Sequence, residues 1–374
     1  MEKKDILFVG IGEAGGKLLN EILKKDKRYV GLYINSNYDD FADLETANDN
    51  MYIITAGQGT GKNRQKSKAL LKSNINSIMD EILKYRTSEV VHFLFSLGGG
   101  TGGGSTPTII KALGKLQKNG RFNKIINITC ILPAYDEGKR YRKNAIECWN
   151  EIAELENINS IYMLDNNSKK DEEEINIEFA RQFDIFMNMS KNTPSKELKS
   201  RIDAEEIGNL ATSVGSTVFY ELPNANSNLE VSIAEALNSS IFATSEEDVS
   251  KCEYVGIVTQ EGLYNQKEIE NMFNPEEYTV GAYSKEHNFI VVTGRPPQKE
   301  SIETLKESIE EEEQNKTNDN VLSNLKVHTD IDTKQPEAVQ KKTQQQIQKS
   351  KIETLEEKSV DDLLEDDDLW DDIF

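Results

Sequence analysis

Between Ile6 and Asp165 the chain alternates short, nearly continuous apolar runs with stretches of helical periodicity. The runs are ILFVG (6–10), YVGLYIN (29–35), MYIIT (51–55), VVHFLFS (90–96), KIINITCIL (124–132) and SIYMLD (160–165). Strands that are apolar on both faces and separated by helices predict a parallel sheet covered on both sides. Next comes EEEINIEFARQFDIFMNMS (172–190), where Ile175, Phe179, Phe183 and Phe186 recur at helical spacing. They predict one long helix with a single apolar face. Over 201–296 the alternation returns on a smaller scale, with STVFYEL, EYVGIVTQ and NFIVVTG as strands and VSIAEALNSSIFA as a helix.

Residues 297–316 read as one more helix, through Ile302, Leu305 and Ile309. From 317 to 374 the chain is polar, rich in glutamine and lysine and poor in aromatics, which predicts disorder. Its end, SVDDLLEDDDLWDDIF, interleaves eight acids with large apolar residues, the pattern of a peptide that docks on a partner. The expected organisation is an α/β first domain over 1–171, a central core helix and linker over 172–200, a smaller α/β second domain over 201–296, a C-terminal helix and a disordered acidic tail.

Composition narrows the function. A length of 374 residues suits two domains and a tail, and a hydrophobic content of 37 % suffices for a core. The net charge of −21 argues against direct binding to nucleic acid or an anionic membrane. Cys130, Cys148 and Cys252 are scattered, and histidine occurs only at 92, 287 and 328, so no zinc constellation is expected. The start, MEKKDILFVGIG, lacks the pattern of a signal peptide, and no apolar run approaches the roughly 20 residues of a membrane span. A cytoplasmic protein is expected.

Three glycine-rich features compete for the chemistry. GIGEAG (10–15) follows the first strand and fits a dinucleotide fingerprint, but the second strand ends YINSN, with asparagine where a ribose-binding acid belongs. AGQGTGKN (56–63) is nearly a P-loop, yet Asn63 stands where Ser or Thr should hold Mg²⁺. The third is FSLGGGTGGGSTP (95–107), which places six glycines in the seven positions 98–104. A strand precedes it, and Pro107 is expected to open the helix TIIKALGKLQKNG. A strand, a glycine loop and a helix start together expose backbone N–H groups at the positive end of a helix, a site for an anion such as phosphate.

That third run matches the GGGTGxGxxP signature of the tubulin/FtsZ superfamily, with Gly98 to Gly104 and Pro107 at the family's spacing. The resemblance extends over roughly residues 5–300. GIGEAGGK resembles the family's first phosphate loop, and GQGTGKN the loop that senses the γ-phosphate. PAYDEGKRYR (133–142) resembles the ribose-binding stretch with Glu137 in place, although Tyr141 stands where the family has arginine, flanked by Arg140 and Arg142. Through AIECWNEI, SIYMLDNN, EINIEFA, FMNMS, DAEEIG, NFIVVTG and PPQK the chain is similar to the partition GTPases of plasmids and phages, the TubZ group.

This resemblance implies a tubulin/FtsZ-like α/β fold with a GTP-binding first domain and a GTPase-activating second domain. It implies GTP or GDP, with Mg²⁺, as ligand. Gly12, Glu13, Ala14, Gly15, Gly16 and Lys17 would face the phosphates, with Gly57, Gly59, Gly61, Asn63, Gly98, Gly99, Gly100, Thr101, Gly102 and Gly103. Asn37 would also contact the nucleotide, Glu137, Arg140 and Arg142 would lie at the ribose side, and Asn166 and Asn176 would read the guanine edge with amides that both donate and accept. Capping or turn roles stand beside these for Asn166 and Asn176.

Asp203 and Glu206, in RIDAEEIG, match the family's catalytic acids. A pair at i and i+3 also suits a helix start. In the catalytic reading they project from one subunit onto the γ-phosphate of the next, so that head-to-tail stacking into a filament completes the site. The implied cargo is extrachromosomal DNA held through a DNA-binding adaptor, possibly reached by the tail, with no direct nucleic acid or membrane contact. An FtsZ-like division paralogue and a P-loop ATPase centred on Lys62 are the alternatives.

Overall fold

The computed structural model describes residues 1–47, 50–54, 59–224, 228–243, 251–297 and 299–318. The first half consists of β1 (Ile6–Ile11), α1 (Gly12–Lys25), β2 (Val30–Asn35), β3 (Met51–Ile53), α2 (Arg64–Lys72), α3 (Ile75–Leu83) and β4 (Val90–Ser96). It continues through α4 (Thr101–Lys118), β5 (Ile125–Leu132), α5 (Lys139–Ala153) and β6 (Ser160–Asp165) to the long α6 (Glu172–Met187). Beyond lie β7 (Thr193–Pro194), α7 (Ala204–Thr212), β8 (Gly215–Glu221), α8 (Leu229–Asn238), β9 (Tyr254–Gln260), α9 (Gln266–Phe273), β10 (Tyr278–Ser284), β11 (Phe289–Arg295) and α10 (Glu300–Asn318).

Eleven strands among the described residues form one sheet, in the order β3-β2-β1-β4-β5-β6-β8-β11-β9-β10-β7. From β3 to β6 every pairing is parallel, as near-continuous burial of these strands requires. Chain order reverses between β1 and β4, and in such sheets a ligand crevice opens at the carboxyl ends of the strands flanking the reversal. The second half is mixed: β11 runs antiparallel to both β8 and β9, while β9 and β10 are parallel. The halves join through a short parallel pairing, Ser160↔Gly215 and Ile161↔Ser216.

With so little backbone at the join, side chains secure it. The apolar face of α6 covers both sides of it: the Phe183 ring lies 5.4 Å from Phe8 of β1 and 5.9 Å from Tyr162 of β6. Phe186 stands 5.5 Å from Phe219 of β8, which in turn meets Phe289 of β11 at 5.3 Å. The first two pairs are edge-to-face and the last two tilted, and aromatic contacts at these spacings add to the stabilisation from burial alone. A capping box between Asp171 and Glu174 fixes where α6 starts.

Two boundaries differ from the sequence reading. Helix α4 begins at Thr101 rather than at Pro107, so Gly102, Gly103 and Gly104 form its first turn. Space explains this: a Cβ on Gly103 would lie 2.4 Å from the carbonyl oxygen of Leu97. The last helix runs to Asn318 rather than 316. Met1–Ile309 form one compact unit; a second begins at Glu310, and of it the structure describes the end of α10. The acidic end peptide lies outside the described residues. No helix among the described residues is long and apolar enough to cross a membrane.

Candidate functional site

Five of the described helices close their own N-termini with a side chain. In α2, α6, α7, α8 and α9 an Asn or Asp side chain at the N-cap accepts a first-turn N–H. Helices α1, α4 and α5 start at Ile11, Gly100 and Gly138 instead, and like α3 they have no side-chain cap. All three open on one cavity of about 340 Å³. Their first-turn donors are therefore available to a ligand, and the helix dipoles favour a negative one.

The starts of α1 and α4 touch. Gly12 has a φ of 75°, and a Cβ there would stand 3.0 Å from the backbone nitrogen of Gly102. Only glycine meets both demands without strain. Gly12, Glu13, Ala14 and Lys17 of α1 line the cavity, as do Gly99, Gly100, Thr101 and Gly102 around the start of α4. Three hydroxyls tie the loops together: Thr101 Oγ1 lies 2.7 Å from Ser36 Oγ and 3.3 Å from Thr60 Oγ1. Asn144 of α5 adds a brace, donating from Nδ2 to the carbonyls of Lys62, at 3.1 Å, and Gly98, at 3.0 Å.

At the other parts of the cavity stand Asn37, Gly59, Gly61, Glu137, Asn166 and Asn176. Asn176 does not cap α6, since Asp171 does, and its buried side chain faces the cavity wall. Asn37 donates to Asp40 at 2.6 Å, and Asn35, at the end of β2, donates to the other Asp40 oxygen at 2.7 Å. Glu137 accepts from the Ala134 N–H at 2.8 Å. Burial holds its carboxyl above the ordinary carboxylate range, reinforced by the negative charge of Glu172. Lys17 pairs with Glu13 at 2.5 Å, which pushes its ammonium upward.

Seven expected residues do not line the cavity. Gly15 packs on the Leu94 carbonyl, Gly16 faces Leu44 and Tyr33, and Gly103 packs on Leu97. Asn63 caps α2 by accepting the Lys66 N–H, which is why neither Ser nor Thr is needed there. Gly98 supplies a carbonyl to Asn144. Arg140 is exposed, and Arg142 is buried with Nη1 donating to Ser308 of α10 at 2.9 Å. Gly57 lies outside the described residues.

Asp203 and Glu206 do not border the cavity either. They form a capping box at the start of α7, with Asp203 Oδ1 accepting from the Glu205 and Glu206 N–H groups and Glu206 Oε2 from the Asp203 N–H. The hydrogen bond with Glu206 holds the Asp203 carboxyl low, whereas burial and the neighbouring Asp203 hold Glu206 high. Sequence reasoning missed Ser36, Asp40, Thr60, Lys62, Ser96, Tyr141 and Glu172 as lining residues. A signal existed for Lys62, the lysine of the near P-loop.

Residues 5–171 match the model of the Tubulin/FtsZ family, GTPase domain. The chain is 33 % identical over 313 residues to the tubulin-like protein TubZ of Clostridium botulinum C phage, an alignment covering 83 % of this chain and 84 % of that one. This chain belongs to the tubulin/FtsZ family. Its fold superposes on the tail-truncated TubZ of C. botulinum phage c-st with a TM-score of 0.74 at 32 % identity, covering 84 % of this chain and 99 % of the other. A GTPγS-form protofilament of Bacillus thuringiensis TubZ shares the fold, with a TM-score of 0.70 at 13 % identity over 86 % of this chain and 94 % of that one.

As a tubulin/FtsZ chain it is a GTPase, and the match lies over the half that builds the cavity. The dinucleotide and P-loop readings fall with this assignment. The tubulin/FtsZ glycines serve two ends here: those at 99, 100 and 102 border the cavity, while Gly15 and Gly103 let helix and strand backbones meet.

Proposed function

We propose that this tubulin/FtsZ GTPase binds GTP in the cavity between α1, α4 and α5, assembles head to tail, and uses the filament to segregate a plasmid or phage DNA. One observation carries the reading: two uncapped helix starts in contact, in the same cavity as Asn166 and Asn176. The α1 and α4 N–H groups and Thr101 take the phosphates. Glu137 accepts ribose hydroxyls, and the two asparagine amides pair with the guanine edge. Mg²⁺ bound together with the nucleotide would supply positive charge against that of the phosphates.

Hydrolysis needs a second subunit. Asp203 and Glu206 of the neighbouring copy face the γ-phosphate and orient a water for in-line attack. A bond forms from the water oxygen to the γ-phosphorus, and the bond to the β–γ bridging oxygen breaks, leaving GDP and inorganic phosphate. Glu206, held high by burial, takes the proton of the water, while Asp203 stays ionised. The protofilament of the Bacillus thuringiensis relative supports self-association. With a net charge of −21 the chain holds DNA through a basic adaptor rather than directly.

Adding GTP should raise light scattering, which then decays as GTP is consumed. Asp203→Ala should still assemble but stop releasing phosphate. A protein that stays monomeric with GTP at high concentration, or an Asp203→Ala variant with unchanged turnover, sinks the composite site. Deleting 359–374 should abolish co-sedimentation with an adaptor bound to DNA; loss of a division-machinery partner instead would favour the FtsZ-like alternative.

A further inference from the structure

A second cavity, of about 540 Å³, opens where the two halves of the sheet join. It shares no lining residue with the nucleotide cavity. Ile161 of β6 lines it, whereas the next residue, Tyr162, packs on Phe179 and Phe183 of α6. Side chains alternate along a strand, so the cavity lies on the sheet face away from α6. Trp149 and Ile152 of α5, Leu155 and Val214 extend the apolar wall. Val214 is 67 % exposed, a large apolar side chain left without cover.

One buried cation lines this wall. Arg295, the last residue of β11, is 1 % exposed, and a bulge sets where it points. Val292 pairs with Val218 but Arg295 with Ser216, so Gly294, at a φ of 73°, is the extra residue. It turns Arg295 off the α6 face and onto the face of Val218 and Tyr220. There Nη1 donates to the Tyr220 hydroxyl at 2.8 Å, while Nε and Nη2 have no partner among the described residues. These two nitrogens form one edge of the guanidinium, and their parallel N–H bonds match the two oxygens of a carboxylate. Glu276 also lines the cavity but leaves both nitrogens unfilled, and the exposed Lys251 and Lys299 add positive charge. Burying a cation with two donors unfilled is destabilising, and an acid bound on them would remove that cost.

We propose that this cavity binds a small organic acid, with its carboxylate on Nε and Nη2 of Arg295 and its apolar body against Trp149, Ile152 and Ile161. Apolar cavities of about 300–1,000 Å³ with a few fixed polar groups are the usual form of small-ligand sites. The walls come from both halves of the sheet, whose strands meet at Ser160↔Gly215 and Ile161↔Ser216. The bound acid therefore ties α5 and β6 to β8 and β11.

Octanoate is the probe, and Trp149 reports its binding in the full chain carrying Trp370→Phe, which removes the other tryptophan. Octanoate should change Trp149 emission saturably and bind about tenfold tighter than 1-octanol, which has the same carbon chain without the charge. Arg295→Met keeps apolar bulk and removes a buried cation, so it should fold at least as well as the parent chain. It should abolish the advantage of octanoate and leave octanol binding in place. Ile152→Trp, which fills the cavity, should weaken both. The proposal is overturned if octanoate gives no saturable signal in the Trp370→Phe chain, or if its preference over octanol survives unchanged in Arg295→Met.

Discussion

Arg64 donates its Nε–H to the carbonyl oxygen of Gly103 over 3.1 Å. That carbonyl is the one Pro107 leaves without a helical partner, because proline has no N–H to return to residue i−4. The guanidinium is buried, and its other nitrogens reach Glu147 at 3.0 Å and Glu151 at 2.7 Å on α5. A proline inside the second turn of α4 is thus accommodated by an arginine from a different helix.

Replacing Arg64 by leucine should cost about 3 kcal/mol in urea unfolding, since it strands a buried carbonyl and breaks a partly buried ion-pair network. Adding Pro107→Ala to that variant should restore about 1 kcal/mol, because the new N–H finds the Gly103 oxygen. If Pro107→Ala has the same effect in both backgrounds, the two residues are not coupled.

The capping box on α7 separates two roles of one carboxylate. Asp203→Ala should lose about 1 kcal/mol of stability, while Asp203→Ser, itself a good cap, should lose little. Phosphate release should fail in both. Turnover in Asp203→Ser at the parent rate would assign the residue to folding alone.

Thr101→Val removes the hydroxyl between Ser36 and Thr60 while keeping the shape. Affinity for GTP and GDP alike should fall about tenfold, and Thr101→Ser should recover most of it.

His92 gives an acid-sensitive signal at a residue that does not line the cavity. Its ring is fully buried between Phe8 and Tyr162, with Nε2 2.7 Å from the Thr129 hydroxyl, and burial pushes its pKa from 6.5 down to about 3. Between those values the unfolded chain binds a proton that the native chain refuses. The contribution is complete above pH 6.5 and is lost on acidification toward the lower value, by about 1.4 kcal/mol per pH unit. Urea midpoints for His92→Phe should fall less steeply than the parent's between pH 6 and 4; parallel curves would show that the ring is not responsible.

Burial wrote the sheet into the sequence plainly. VVHFLFS and SIYMLD coincide with β4 and β6, because strands covered on both faces leave nearly continuous apolar runs. The join between the halves was not readable, since Ser160↔Gly215 and Ile161↔Ser216 carry no local pattern. The start of α4 was misplaced because glycine and proline normally interrupt helices, and what overrides them, the Leu97 carbonyl and the Arg64 guanidinium, lies elsewhere in the chain. At the site, backbone-rich loops with fixed spacing were legible. Lys62 and Tyr141 were not read as a pair, because their contact depends on how α5 lies against the turn. Arg142 shows the converse: a basic residue in the right stretch, drawn away by Ser308 of α10.

The three uncapped helices that open on the cavity have a consequence for handling the molecule. The first-turn donors of α1, α4 and α5 have no side-chain acceptor, so a nucleotide bound there would complete these helix starts. A nucleotide then acts as a structural part as well as a fuel, and protein stripped of it should melt earlier and lose its amide protection first around residues 12–16 and 99–104.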